Sequence, residues 1–151
     1  RKLDKNKSSF YHHFGDLELF IPQVLSYHKN LVDELIIKLE KCNNINPEII
    51  DVLYENKNLL FFVKQIRVNR HIEIYSDCIE YSSKRTAKAI IDVWCPDLKL
   101  NKNSSLPKQL LAFTEENLFL QILHSSFSKE WLEHYFEDFQ KMINQLKEES
   151  I

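Results

Sequence analysis

Glycine is nearly absent from this sequence. One glycine, Gly15, and four prolines stand among 151 residues. All-β folds need glycine and proline at their tight turns, and phosphate-binding loops and the GxSxG turn of hydrolases require glycine outright. The common nucleotide-binding and serine-hydrolase motifs are therefore excluded, and the sequence predicts an all-α protein.

Cysteine is scarce, and long apolar runs are missing. Cys42, Cys78 and Cys95 form neither a CxxC pair nor an even-numbered disulfide framework. We interpret them as buried or unreactive thiols. No apolar run approaches the roughly 20 residues that cross a bilayer, and Arg1 opens a charged stretch rather than a signal peptide. These features predict a cytoplasmic protein without a membrane partner.

The apolar residues that are present recur at intervals of three and four, which is typical of amphipathic helices. One predicted helix is capped by Asp16 and extends to Leu39. Asn46 is predicted to cap the next, short helix, with Pro47 at its first position. Four further helices are predicted at about 59–70, 72–94, 107–125 and 128–147, with one substantial loop at 96–106.

Charge is distributed unevenly along the chain. The net charge is −2, but residues 1–14 carry a net charge of +3, which leaves −5 for the remainder. A basic end on an acidic body is what local contact with phosphate groups requires. The N-terminal residues are therefore the part of the chain whose charge favours contact with phosphate groups.

Residues 6–14 have the sequence NKSSFYHHF and are followed by GDLELF. This stretch resembles the end of the helix-turn-helix of TetR-family transcriptional regulators. In that family a recognition helix of the pattern S/N-K-x-T/S-L/F-Y-x-x-F leads into a connecting helix that begins x-D/S-K-E-x-L. Phe10 and Phe14 supply the apolar side that docks on the protein, as a helix in the major groove needs. The sequence departs from the family at Leu17, where the family has a phosphate-binding lysine.

The resemblance implies two domains. Residues 1–20 would be the remnant of the DNA-binding helix-turn-helix domain, with its recognition helix at about 6–14 and its first two helices ahead of Arg1. Residues 21–151 would form a helical ligand-binding and dimerisation domain. Because phosphate contacts fix register and base contacts specify sequence, we expect Lys7 and Tyr11 to matter for affinity and His12 for sequence choice. The predicted DNA-binding residues are Lys7, Ser8, Ser9, Tyr11, His12 and His13.

Aromatic residues are frequent in the central and final helices. A pocket lined by aromatic side chains with a few converging polar groups is the usual small-molecule site. By resemblance, such a pocket lies among the middle helices, and the last two helices pair with those of a second copy; an intramolecular core is the alternative for the final aromatic stripe. The predicted ligand-binding residues are Phe62, Arg67, His71, Tyr75, Trp94, Phe113 and Glu116, and the predicted dimer-interface residues are Phe119, Leu123, Trp131, Tyr135, Phe136 and Phe139.

The resemblance implies a homodimeric repressor whose binding to double-stranded operator DNA is modulated by an unidentified small-molecule effector. We expect no enzymatic activity, no cofactor and no metal site. Glu130, His134 and Asp138 share one helix face at metal-ligand spacing, but a solvated face is the commoner outcome. The alternative hypothesis is a helical protein–protein interaction module without DNA binding.

Overall fold

The computed structural model describes residues 17–148, and all regular secondary structure in this range is helical. The predicted all-α fold is therefore confirmed for this part of the chain. Residues 17–148 contain six α-helices, and a π-helical turn at Ile45–Ile49 directly precedes the second. The helices are α1 (Leu17–Leu39), α2 (Ile50–Glu55), α3 (Lys57–Val68), α4 (Glu73–Asp97), α5 (Leu106–Gln121) and α6 (Lys129–Glu148).

The predicted recognition helix at 6–14 and the predicted cap Asp16 lie outside the described residues. The same holds for all the predicted DNA-binding residues, which are Lys7, Ser8, Ser9, Tyr11, His12 and His13.

Helix α1 forms because one face of its sequence is largely apolar. Leu25, Val32, Leu35 and Leu39 lie seven, three and four residues apart on that face and are all at most 4% exposed, and the buried His28 lies between the first two. Pro22 lies on the exposed side of the early turns, and the helix continues past it. The buried face of α1 packs mainly against α4. This is the most extensive contact between two helices in residues 17–148.

The helix start after α1 differs from the prediction. Asn44, not Asn46, is the cap: its Oδ1 accepts the Glu48 backbone N–H at 3.1 Å, and the Glu48 carboxylate accepts the Asn43 N–H at 2.7 Å. Asn46 has extended backbone angles of φ −112° and ψ 121°, which a residue before proline favours. This reciprocal arrangement resembles a capping box and leaves Asn46 exposed.

Helix α4 is central, since it packs against α1, α3 and α5, while α2 packs against α6. One large apolar core runs through all six helices and includes the stacked rings of Trp94 and Phe139, whose centroids are 5.4 Å apart. A smaller cluster of Leu25, Ile66 and Cys78 lies at the other end of the α1–α4 contact.

The C-terminal helices begin where expected, but α5 ends early. Its start carries Pro107 in the first turn, and the Ser128 hydroxyl caps α6 by accepting the Trp131 N–H at 3.0 Å. Helix α5 ends at Gln121 rather than near residue 125, because Ile122 turns into extended geometry and is buried at 1% exposure. Lys64 Nζ donates to the Ile122 carbonyl at 2.5 Å, which satisfies that oxygen outside the helix.

The three cysteines are free thiols. Cys78 and Cys95 are buried, as the sequence predicted, and Cys42 is half-buried. Burial raises the pKa of all three thiols. Within residues 17–148, no helix combines the length and the apolar character needed to cross a membrane.

Candidate ligand-binding site

A cavity of about 80 Å³ lies inside the helical domain, between α1, α3, α4 and α5. Its wall is almost entirely apolar, and α1 contributes the side chains of Val32, Leu35 and Leu39. The remaining apolar lining residues are Leu53, Leu59, Leu60, Val63, Ala87, Ile90, Leu111, Leu118, Phe119 and Phe136. The polar ones are Ser82, Thr86, Thr114 and Glu115.

The three hydroxyl groups in the wall bind backbone carbonyls of their own helices. Ser82 Oγ donates to the Cys78 carbonyl oxygen at 2.9 Å. Thr86 Oγ1 donates to the Ser82 carbonyl oxygen at 2.8 Å, and Thr114 Oγ1 donates to the Leu110 carbonyl oxygen at 2.7 Å. Such bonds allow a hydroxyl to be buried in a helical core without another partner. Each hydroxyl proton is therefore already used in a hydrogen bond, and only the lone pairs of the oxygen could bind another group.

A charged network borders the cavity at Glu115. Arg67, whose side chain is 8% exposed, forms ion pairs with Glu115 and Glu116 and donates to Ser83 Oγ at 3.1 Å. The Ser83 hydroxyl in turn donates to Glu115 Oε1 at 2.7 Å. The guanidinium carbon lies 4.5 Å from the centroid of the Phe119 ring, a cation–π contact that lets a charged group sit against the core.

Glu115 is the more deeply placed of the two carboxylates, with its side chain 21% exposed against 52% for Glu116. Burial raises the pKa of Glu115, and Arg67 and Ser83 oppose that rise by stabilising the charged form. The Arg67 Nε–H has no hydrogen-bond partner among the described residues. The result is a mostly buried ion pair in direct contact with an apolar cavity.

The predicted ligand-binding residues do not come together in one pocket. Arg67 and Glu116 meet, but as an ion pair beside the cavity rather than as its lining. Trp94 is buried in the core against Phe139, whereas His71 and Phe113 are exposed. Phe62 and Tyr75 share a different groove. The aromatic pattern thus identified core side chains more often than a ligand wall.

That second groove, of about 250 Å³, lies where α1, α3 and α4 approach each other. Beneath Phe62 the ring of His28 is buried at 2% exposure, with its centroid 4.9 Å from that of Phe62. His28 Nε2 is 3.3 Å from Ser82 Oγ, and Nδ1 has no partner in the described part of the chain. Burial and, secondarily, Lys29 lower the pKa of His28 to about 4, so the imidazole is neutral at pH 7.

The residues predicted for a dimer interface divide into two sets. Phe119 lies beneath Arg67 and Phe139 against Trp94, both buried within one chain, and Phe136 lines the cavity. Phe119 and Phe139 are thus almost wholly covered within one chain, although Phe139 also lines the groove between α5 and α6. Leu123 is 56% exposed, and Trp131 and Tyr135 are half-buried at a groove between α5 and α6. The intramolecular alternative therefore applies to part of the aromatic stripe.

An outward face of α5 carries apolar residues that were not among the predicted dimer-interface residues. Leu106 and Leu120 are 46% and 78% exposed, and Phe113 between them is 58% exposed. They recur every seven residues, which places them on one stripe of the helix. Met142 of α6, 38% exposed, lines the adjoining groove with Phe113. This surface, which we call the α5–α6 face, is distinct from the buried side of the same helices.

Glu130, His134 and Asp138 do not form a metal site. His134 Nδ1 lies 2.7 Å from the Glu130 backbone carbonyl, and the described residues contain no cluster of three histidine, cysteine, aspartate or glutamate side chains suited to an ion.

Comparison with known proteins adds no assignment. No family model matches the chain, and neither a curated protein nor a solved structure does so. The functional argument therefore depends on the residues themselves.

Proposed function

We propose that this chain belongs to a TetR-like transcriptional regulator, in which the helical domain binds a small molecule that alters binding to operator DNA. The observation that carries the proposal is the position of α1. Its C-terminal half supplies Val32, Leu35 and Leu39 to the cavity wall. The sequence directly before its first turn is the segment that resembles a recognition helix.

A ligand in the cavity would touch the same helix that leads from the DNA-binding segment. If the ligand fits one placement of α1 better than another, it changes the relative populations of the two. The two half-sites of an operator lie at a fixed spacing. A dimer therefore binds both only when its two DNA-binding domains are separated by the matching distance. Ligand affinity and operator affinity would then be coupled, with repression relieved by ligand as the expected direction.

Two copies would pair through the α5–α6 face. Its exposed stripe of Leu106, Phe113 and Leu120 supports this, because a monomer gains nothing from keeping three large apolar side chains in water. Two-fold pairing also matches a palindromic operator. The half-buried Trp131 and Tyr135 would lie at the edge of that interface, as part of the groove beside Phe113.

The test is a measurement of operator binding by the protein expressed from its whole gene. DNA from upstream of its own gene is titrated across a salt series, against a random duplex of equal length. Binding should be specific and should weaken steeply with salt as counterions are released. Tyr11→Phe and His12→Ala should weaken specific binding, and for His12→Ala the loss should be about 1 to 3 kcal/mol if it contacts a base.

The alternative is a helical protein–protein interaction module that uses the α5–α6 face for a different partner. Binding to its own upstream DNA that is no tighter than to the random duplex, at low salt and without added ligand, would overturn the regulator proposal and leave this alternative. Ser128→Ala is a suitable control variant in the DNA assay, because it alters the cap of α6 and no predicted DNA contact.

A further inference from the structure

A groove of about 310 Å³ lies where the connection from α1 to α2, the C-terminal end of α4 and the middle of α6 meet. Small-molecule sites measure roughly 300 to 1,000 Å³, so this groove is large enough for a compact ligand. Part of its lining is apolar: Ile45, Ile50 and Trp94 are each at most 8% exposed, and the half-buried Phe136 also lines it. The groove can therefore cover the apolar portion of a bound molecule.

The charged residues that line this groove are all acidic. They are Asp97, Glu133 and Glu137, and none of the described lysines, arginines or histidines lines it with them. Within residues 17–148, the carboxylates of Asp97 and Glu133 take part in no hydrogen bond or ion pair, although Glu133 is half-buried. Glu137 has one cationic neighbour, the exposed Lys141, whose Nζ is 3.9 Å away. A cation that enters the groove would thus find carboxylates without strong partners.

The indole N–H of Trp94 is a second and independent feature of the groove. Trp94 is 3% exposed, and its Nε1 has no hydrogen-bond partner in the described part of the chain. It is nevertheless not one of the unpartnered atoms that are closed off from water, which are His28 Nδ1 and Arg67 Nε. Because Trp94 lines this groove, its N–H opens into it. Such a donor, on a side chain that is otherwise buried, is stabilised when a bound molecule supplies an acceptor.

We propose that this groove binds a small organic cation that also carries a carbonyl oxygen. The cationic group pairs with Glu133 and the neighbouring carboxylates, the carbonyl oxygen accepts the Trp94 N–H, and the alkyl portion lies against the apolar lining. This site is separate from the apolar cavity and does not depend on the regulator proposal.

Two other classes of ligand fit the groove less well. An anion of the same shape is disfavoured, because its charge would meet three carboxylates. A metal ion is disfavoured as well, because the described residues contain no cluster of three acidic, histidine or cysteine side chains suited to hold one. Carboxylates that do not converge on one point suit an extended organic cation better than a single ion.

The experiment is an NMR titration of the protein at pH 7 with N-acetylputrescine, N-butylacetamide and N-acetyl-γ-aminobutyrate. The three probes share an amide carbonyl and an alkyl chain, and their other ends are cationic, neutral and anionic. The sequence has two tryptophans, and Trp131 lines the different groove between α5 and α6, so its indole signal is an internal control. The variant Trp131→Phe assigns the two signals.

The Trp94 indole signal should shift saturably, and the affinity should be highest for the cation and lowest for the anion. The Trp131 signal should stay in place. Binding of the anion as tightly as the cation would overturn the proposal, and so would the absence of a saturable shift of the Trp94 signal with N-acetylputrescine.

Glu133→Gln and Glu130→Gln form a matched pair of variants. Both remove one negative charge from α6, but only Glu133 lines the groove. Glu133→Gln should weaken N-acetylputrescine binding about fivefold, and adding Asp97→Asn should bring the loss to at least about tenfold. Glu130→Gln should change it by less than about twofold, because exposed charges at a distance are screened by salt. Equal losses from Glu133→Gln and Glu130→Gln would identify a general effect of surface charge and overturn the proposal. Far-UV circular dichroism verifies that each variant is folded.

A fourth probe, n-butylamine, tests the role of the carbonyl oxygen. It has the charge and the alkyl chain of N-acetylputrescine but no acceptor for the Trp94 N–H. N-acetylputrescine should move the Trp94 indole proton downfield, as a new hydrogen bond does, and n-butylamine should not. The same downfield shift with both probes would overturn the assignment of the carbonyl oxygen to Trp94.

Discussion

Arg67 and His28 are both polar and buried beside the core, but the free-energy cost of burying them is reduced in opposite ways. Arg67 remains charged and is surrounded by two carboxylates, a hydroxyl and the face of Phe119. Among the described residues His28 has one hydrogen-bond partner, Ser82 Oγ at 3.3 Å, and its pKa is lowered to about 4, so it is neutral at pH 7. The comparison shows that this core retains a charge only where anionic partners converge, and elsewhere leaves the titratable group uncharged.

The largest effect on stability is expected when Arg67 is removed from its ion pair with Glu115. Arg67→Met removes the only described cation that contacts Glu115 and leaves that carboxylate mostly buried without compensation. The free energy of unfolding, measured by urea denaturation at pH 7, should fall by about 3 to 5 kcal/mol.

Two variants serve as controls for that prediction. Arg70→Met affects an ion pair with Glu116 in which both side chains are more than half exposed, and it should change stability by less than about 1 kcal/mol. Adding Glu115→Gln to Arg67→Met should recover part of the loss, because no buried charge then remains. Equal losses from Arg67→Met and Arg70→Met would contradict a special role for the buried pair.

Because the buried His28 is neutral at pH 7, we expect the protein to lose stability in acid. In the unfolded chain His28 binds a proton near its ordinary pKa of 6.5, whereas in the folded chain it does so only near 4. Protonation therefore favours unfolding as the pH falls from 6.5 to about 4, and over that range stability should decrease by about 3 kcal/mol.

The variant His28→Leu should lack this acid-dependent step when urea denaturation is repeated at several pH values. Glu115 acts with the opposite sign: its raised pKa means that the folded state holds a proton more firmly, so its contribution is lost as the pH rises through the folded pKa. A His28→Leu protein with an unchanged acid loss would contradict the assignment to His28.

A smaller effect is expected from the hydroxyl that links the charged groups. Ser83 donates to Glu115 at 2.7 Å and accepts from Arg67 at 3.1 Å. Ser83→Ala should cost about 1.5 kcal/mol, the typical contribution of a hydrogen bond to a charged group. Ser76→Ala, at an exposed position of the same helix, should stay within about 0.5 kcal/mol of wild type in the same thermal unfolding measurement.

The fold was largely predictable, because apolar spacing alone determines which face of each helix is buried. The predicted starts and ends of α6 agree with Lys129–Glu148 to about one residue. The errors occur where tertiary contacts decide. The Asn44 cap also donates from its Nδ2 to the Glu48 carboxylate, and the early end of α5 depends on the burial of Ile122; periodicity records neither contact.

The candidate site was predictable only in part. Arg67 was expected to orient a ligand with Glu116, but Glu115 rather than Glu116 faces the cavity, and Ser83 was missed. Two adjacent glutamates are indistinguishable until the packing of α5 shows which one points inward. One signal was present in the sequence: Thr114 and Glu115 interrupt the apolar stripe of α5 between Leu111 and Leu118, which marks polar groups on a buried face.

If occupancy of the cavity is coupled to DNA binding through α1, as we propose, filling the cavity by mutation should change operator binding even though the natural ligand is unknown. Ala87→Leu occupies the cavity, while Ala112→Leu adds the same atoms at an exposed position of α5. In the operator-binding assay, Ala87→Leu should change operator affinity by about 5- to 150-fold and Ala112→Leu should not. Equal operator affinity for both folded variants and the wild type would contradict the account.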